Sequence, residues 1–231
     1  MRAPTDCLTC EYRPHRMFCR LAPEALADFN GMGALVMYAA GATLIREGEP
    51  CRRILVLCAG QAMLSCSSAA GATMNVKVAL AGDVLGLSAA ICGGCSEATA
   101  ITMEPSFVKA VPKADFVAFL GRHGEASLHA AQLLAQEYRA SFEGARRLAL
   151  SSSVAARLAG LLLAWGRSGS CGKRNIEFTM NFSHEAIAGF AGTSRESITR
   201  ALGAFQKKDL IRIQGRSVRI LAEAKLARIA S

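Results

Sequence analysis

Two sets of side chains in this sequence have types and spacings that could do chemistry. The first is a set of thiols. Cys7, Cys10 and Cys19 form a C-x2-C-x8-C run near the start, and Cys92 and Cys95 repeat the C-x2-C interval. Thiolates are soft metal ligands, and two C-x2-C pairs could surround zinc or close reversibly as dithiols. Ordinary reduced thiols are the plain alternative. Cys51, Cys58 and Cys66 fall in or beside apolar runs and read as packing residues, Cys171 falls in a loop, and His15, His123, His129 and His184 show no ligand spacing. The second set is Arg195, Glu196, Thr199 and Arg200. An arginine can donate two hydrogen bonds to guanine O6/N7, and a carboxylate can accept one from cytosine N4. Phosphate-loop, H-E-x-x-H and G-x-S-x-G motifs are absent, and the cysteine pairs lack a βαβ context, so no enzyme is expected.

The charged set needs a helix to present it. Ile187, Phe190 and Ala191 repeat at i, i+3, i+4 behind Ser183, which predicts a short helix with a serine N-cap. Gly192 supplies the left-handed residue that ends it. Thr193-Ser194-Arg195-Glu196 reads as a T-x-x-E capping box for a second helix, with Ile198, Ala201, Leu202 and Phe205 on its packed face. The base-reading side chains then crowd the first two turns, as in a helix-turn-helix recognition helix. Leu210–Ile213 and Ser217–Ile220, turning through Gly215, predict a hairpin wing. Ser194, Lys207, Lys208 and Arg216 are the expected phosphate contacts, which set affinity rather than sequence.

Taken together, Ser194-Arg195-Glu196-Ser197-Ile198-Thr199-Arg200 and the preceding His184-Glu185-Ala186-Ile187-Ala188 resemble the winged helix of the Crp/Fnr family of bacterial transcription regulators. The resemblance implies an α+β fold: an N-terminal cyclic-nucleotide-binding-type β-roll, a long dimerisation helix and a C-terminal winged helix-turn-helix. The Arg-Glu-x-x-x-Arg pattern is similar to the Crp-type head, which favours TGTGA-like half-sites; Fnr-type heads have an apolar residue where Arg195 stands. The expected target is double-stranded DNA with a pseudo-palindromic operator, its half-sites about one helical turn apart. The family also implies a homodimer and RNA polymerase as a partner.

The sequence divides accordingly into a cysteine-containing arm (1–21), a β-roll sensor (22–123), a dimerisation helix (124–150) and the DNA-binding domain (151–231). Short apolar runs punctuated by glycines between about 36 and 112 predict an antiparallel sandwich or barrel. Short helices are expected over 22–29 and 114–120. From Gly124 to Leu150 the residues Leu128, Ala131, Ala135, Tyr138, Phe142, Ala145 and Ala149 step by 3 and 4, the pattern of a coiled-coil seam. The other reading of this pattern is one amphipathic helix packed on its own sheet. Ser151–Ser153 should cap a helix over Val154–Trp165, followed by a Gly/Ser-rich loop over 166–172 and a strand over 176–180.

The resemblance also bears on the signal. Cyclic-AMP-type sensors have a Glu just after the glycine matched here by Gly86, and an Arg about ten positions on. This chain has Leu87, then Ser96-Glu97-Ala98, so nothing neutralises a cyclic phosphate and cAMP is not expected. Cys7, Cys10 and Cys19 instead resemble the Fnr arm, whose cysteines hold an oxygen-labile [4Fe–4S] cluster that needs four thiolates. The position matched to the fourth Fnr ligand holds Lys109, so a fourth thiolate would come from elsewhere, with Cys92 or Cys95 the obvious candidates and an oxygen ligand or solvent the alternative.

Composition agrees with DNA binding. The chain has 231 residues and a net charge of +9. Residues 1–123 carry 11 Lys/Arg against 10 Asp/Glu, a net +1; residues 124–231 carry 16 against 8, a net +8. The positive excess therefore sits with the helix-turn-helix. That argues against a membrane partner, as does the lack of any apolar run approaching ~18 residues. Nine cysteines and no apolar leader point to a reducing cytoplasm. A nucleotide-sensing regulatory subunit would share the β-roll without a winged helix, and a non-specific DNA-coating protein would bind without sequence preference.

Overall fold

The computed structural model describes residues 6–169 and 176–230, so Cys171 and the last part of the expected Gly/Ser-rich loop (170–172) lie outside the described residues. The chain forms two compact units, 1–140 and 141–231, divided inside one long helix rather than at a linker.

In the first unit a 3-10 turn (Arg13–His15) precedes α1 (Pro23–Gly31), in which Pro23 occupies the first turn, where its missing N–H costs nothing. Strands β1 (Ala34–Tyr38), β2 (Thr43–Ile45), β3 (Arg53–Ala59), β4 (Ala62–Ser67), β5 (Thr73–Ala79) and β6 (Val84–Leu85) follow. Helix α2 (Leu87–Cys92), strands β7 (Thr99–Thr102) and β8 (Ser106–Pro112), α3 (Lys113–Arg122) and α4 (Gly124–Leu150) complete the series. The strands make two antiparallel four-stranded sheets, ordered β1-β8-β3-β6 and β2-β7-β4-β5. This is the expected roll, with β1, β6 and α2 added to the elements the apolar runs foretold.

Strand alternation sorts the core into two layers. Leu55, Leu57, Ala100, Val108 and Ala110 fill the space between the sheets. Ile54, Val56 and Val111 point the other way, into a cluster with Leu26 and Phe29 of α1, Phe116 and Phe119 of α3, and Ala126 and Ala130 of α4. Phe18 belongs to this second cluster and is fully buried, its ring 5.4 Å from Phe29 and 5.6 Å from Phe116. The arm is therefore anchored by an aromatic side chain that its polar surroundings in the sequence did not advertise.

In the second unit α5 (Val154–Gly169) starts where the serines predicted, with Ser153 Oγ accepting the Ala156 N–H at 3.1 Å. It runs one turn past Trp165, through the stretch expected to be a loop. Gly166 is the reason: it is buried, and a Cβ there would stand 2.4 Å from Ile176 Cγ2, so the glycine permits close packing rather than ending the helix. Strand β9 (Glu177–Thr179), helices α6 (His184–Ala191) and α7 (Arg195–Lys207), strands β10 (Ile211–Gln214) and β11 (Ser217–Ile220) and a helix the sequence reading did not foresee, α8 (Glu223–Ala230), complete the unit. The three strands form one antiparallel sheet in the order β10-β11-β9. Among the described residues, no helix is long and apolar enough to cross a membrane.

Candidate DNA interface and cysteine site

Helices α6 and α7 are positioned by caps at each end. Ser183 Oγ accepts the Ala186 N–H at 3.1 Å, and Gly192, at φ 57°, turns the chain out of α6. Arg157 of α5 donates from Nε to the Ala191 carbonyl at 2.7 Å, satisfying an acceptor that the end of α6 leaves open. Below them Trp165, Phe182 and Phe190 stack, with ring centroids 5.0 to 5.7 Å apart. Ile187, Ile198, Leu202 and Phe205 are buried, as their spacing predicted.

The second N-cap differs from expectation by one residue. Ser194, not Thr193, is the cap: its backbone is extended and its Oγ accepts the Ser197 N–H at 3.3 Å. Thr193 is used up in the bend leaving Gly192, whose left-handed backbone needs one more residue before a helix can begin. Glu196 still serves this terminus. Its own N–H and the Ser194 hydroxyl hold the carboxyl below the usual carboxylate range, helped by the charges of Arg195 and Arg200.

Arg195, Glu196, Thr199 and Arg200 are all exposed on the first turns of α7. Thr199 Oγ1 donates to the Arg195 carbonyl at 2.9 Å and lies 2.8 Å from His184 Nδ1. Its one proton is committed, so its methyl group is what remains to meet a thymine methyl. The guanidinium of Arg200 touches Ser197 Oγ only at 3.5 Å, leaving most of its donors to a partner. Glu196 turns its carboxylate toward the helix terminus, to its own N–H and the Ser194 hydroxyl.

Helix α7 ends in a left-handed Asp209 at φ 50°, with the Leu210 N–H reaching back to the Phe205 carbonyl at 3.0 Å. Lys207 and Lys208 are exposed at this end. In the wing, Gln214 pairs with Ser217 across a two-residue turn, in which Gly215 has φ 59° and Arg216 is exposed at the tip. Arg219 is spent differently, donating to Glu177 Oε2 from Nη2 at 2.8 Å and from Nε at 3.1 Å.

The cysteines divide into two places. Cys92 and Cys95 are exposed, at the end of α2 and after the Gly93-Gly94 turn, where Cys95 bridges Pro50. Cys7, Cys10 and Cys19 lie in the arm with Cys58 of β3 near enough for the thiolate charges to act on one another. Burial first, then the Cys58 charge, pushes the Cys19 thiol up to about 12; burial and the Cys7 charge push Cys58 up to about 11. These thiols are protonated at neutral pH. Cys58, expected as a packing residue, is half-buried in β3 and also lies within reach of the arm thiols. Only its place in β3, one strand over from Lys109, could have hinted at this. Among the described residues, no three His, Cys, Asp or Glu side chains gather tightly enough for a single metal ion.

The cyclic-nucleotide position holds other chemistry. Leu87 is buried, and Glu97 accepts a hydrogen bond from Ser88 Oγ at 2.7 Å. Nearby in the roll a cavity of about 480 Å³ is lined by Arg46, Arg52, Arg53, Glu49, Cys51 and Tyr38, among others. The seam of α4 lies outward: Leu128 is 58% exposed, Tyr138 71% and Phe142 58%, and Ala131, Ala135 and Ala145 are exposed with them. Ala126, Ala130, Leu133 and Leu134 are the residues that pack inward. The heptad face is therefore not the face that α4 buries against its own sheet.

This arrangement has known counterparts. Residues 35–123 match the family model for the cyclic nucleotide-binding domain, and residues 156–229 match that for the Crp-like helix-turn-helix domain. The chain is 25% identical over 213 residues to a CRP-like cAMP-activated global transcriptional regulator of Mycobacterium tuberculosis, covering 92% of this chain and 95% of the relative. It is 24% identical over 190 residues to the fumarate and nitrate reduction regulatory protein of Vibrio cholerae, covering 82% and 76%. Among solved structures, FixK2 from Bradyrhizobium japonicum shares the fold, with a TM-score of 0.74 at 18% identity over 86% of this chain and 97% of that one. With a nucleotide-binding-type roll followed by a winged helix whose reading face is exposed, the chain belongs to the Crp/Fnr family of DNA-binding transcription regulators.

Proposed function

We propose that this regulator works as a homodimer that reads a pseudo-palindromic operator with guanine-containing half-sites, contacts RNA polymerase, and responds to a redox or oxygen-type signal through its arm cysteines. The observation that carries the DNA half is the exposed Arg195, Thr199 and Arg200 face at the start of α7. The outward heptad face of α4 supports the dimer, since two copies match two half-sites. Target and reduced thiols together argue for the cytoplasm as the place of action.

The observation behind the sensing half is the half-buried, all-sulfur donor set of the arm, which suits a [4Fe–4S] cluster held by Cys7, Cys10 and Cys19 with a further ligand. Such a cluster would supply redox and oxygen lability; the protein's part would be to supply the thiolates of the arm. A two-pair zinc site is less well supported, because Cys92 and Cys95 are exposed on a separate turn. The test is operator binding by fluorescence anisotropy, with protein prepared without oxygen and then exposed to air. A change in affinity that tracks loss of a ~400 nm band supports the reading; identical affinity with a colourless protein refutes the cluster and leaves DNA binding intact.

A second reading has one specific observation in its favour. The roll cavity presents three arginines, so a small anion could be the effector of a metal-free regulator. Cyclic AMP is not proposed, given buried Leu87 and the carboxylate of Glu97 at its position.

A further inference from the structure

We propose that Cys58, on strand β3, supplies the fourth thiolate that completes the Cys7, Cys10 and Cys19 set for a [4Fe–4S] cluster. The inference rests on the cysteine-sensing reading above and names the ligand which that reading lacks.

Four observations converge on Cys58. Strand parity comes first. Ile54 and Val56 face the cluster that contains Phe18, and Cys7 packs against that same cluster. Cys58 is the next residue of that parity, and its thiol leans back toward the Val56 carbonyl at 3.6 Å. The second is a break in register. Leu57 pairs with Val108 and Ala59 with Phe107, so Cys58 is the extra residue of a β-bulge between them. Bulges re-aim a side chain and recur beside functional sites.

The third is a chain of contacts from the strand to the arm. Val56 is opposite Lys109 of β8, whose Nζ donates to the Asn30 carbonyl at 3.1 Å. Asn30 Oδ1 accepts the Cys7 N–H at 2.9 Å. Cys7 and the Cys58 stretch of β3 are thus tied to the same two residues. Lys109 itself offers an ammonium, not a sulfur, so β8 cannot provide the ligand and the adjacent strand can.

The fourth is charge. Lys109 acts on Cys7, and Arg16 acts on Cys19 and Cys58. Two cations face a group whose thiols each release a proton on taking iron, which offsets the negative charge so created.

The test is reconstitution of the full-length chain with ferrous iron and sulfide without oxygen, in wild type, Cys58→Ser and the Cys92→Ser/Cys95→Ser double variant. Iron and sulfide content and the ~400 nm band are read on each. Independently, wild-type protein is alkylated before and after loading and its cysteines compared by mass spectrometry, which requires no variant to fold. The proposal expects about four irons per chain in wild type and the double variant, a loss of at least one iron with a bleached band in Cys58→Ser, and protection of Cys7, Cys10, Cys19 and Cys58 on loading. A full cluster in Cys58→Ser, or Cys58 alkylated equally in the loaded wild type, overturns the assignment while the cluster itself survives. Wild type that takes up neither iron nor sulfide overturns both the assignment and the cluster reading beneath it.

Discussion

The recognition helix and the cysteine site make opposite use of their charges. On α7 the reactive groups are exposed, held by caps and by neighbours within a few residues, and ready for a partner that brings the opposite charge. At the arm the thiols are half-buried, burial holds Cys19 and Cys58 protonated, and the set draws on positions as distant as Cys7 and Cys58. A DNA reader can be built locally because the groove does the gathering. A thiolate site must be gathered by the fold, since nothing in one short segment can bring four sulfurs together.

That contrast can be broken most forcefully at Phe18. Phe18→Ala removes the fully buried ring that anchors the arm and should cost about 3–5 kcal/mol. The loss should appear in the part of a urea transition followed by circular dichroism, while emission from Trp165, the chain's single tryptophan, keeps its midpoint. A shift of the Trp165 midpoint by the same amount would show that the two units do not respond separately. On the other side, Arg200→Ala or Arg195→Ala should weaken operator binding by about 5- to 150-fold, the equivalent of about 1–3 kcal/mol, without a change in either transition. Equal weakening on random DNA would demote either arginine to a phosphate contact.

Alkaline pH should strike the cysteine site alone. Cys19 and Cys58 have pKa values raised by burial to about 12 and about 11, above 9.0 for an unperturbed thiol. The unfolded chain therefore loses these protons first as pH rises. Their contribution to stability is complete below pH 9 and is lost through the folded values, by about 1.4 kcal/mol per thiol for each pH unit. Metal-free protein should show this fall in chemical denaturation between pH 9 and 11, and Cys58→Ser should flatten it. Ser194→Ala should cost about 1 kcal/mol in the second unit, because it uncaps α7; an unchanged midpoint would mean that Thr193 takes over. The smallest effect belongs to the wing tip: Arg216→Gln should lower the slope of log affinity against log salt by about 1, equally on operator and random DNA.

How much of this was legible follows the same division. The sequence placed the winged helix, the roll, α4 from Gly124 to Leu150 and the charged face of α7 that carries Arg195, Glu196, Thr199 and Arg200, because each depends on signals a few residues apart: a serine cap, a turn glycine, a repeat of 3 and 4. Even its misses there were local, one residue at Ser194 and one turn of α5 through Gly166. Helix α8 went unread because its packing partner, α5, lies far back in the chain.

What the sequence determined alone, then, is a DNA-reading helix and the class of fold that carries it, since short-range hydrogen bonds and periodicity fix both. What only the tertiary structure decided is which cysteine of the roll lies near the arm. A bulge in β3, the burial of Phe18 and the link from Lys109 through Asn30 to Cys7 bring Cys58 to the arm and leave Cys92 and Cys95 outside. Those contacts span 23 to 79 residues of chain, and loop closure over such distances leaves no mark in local spacing.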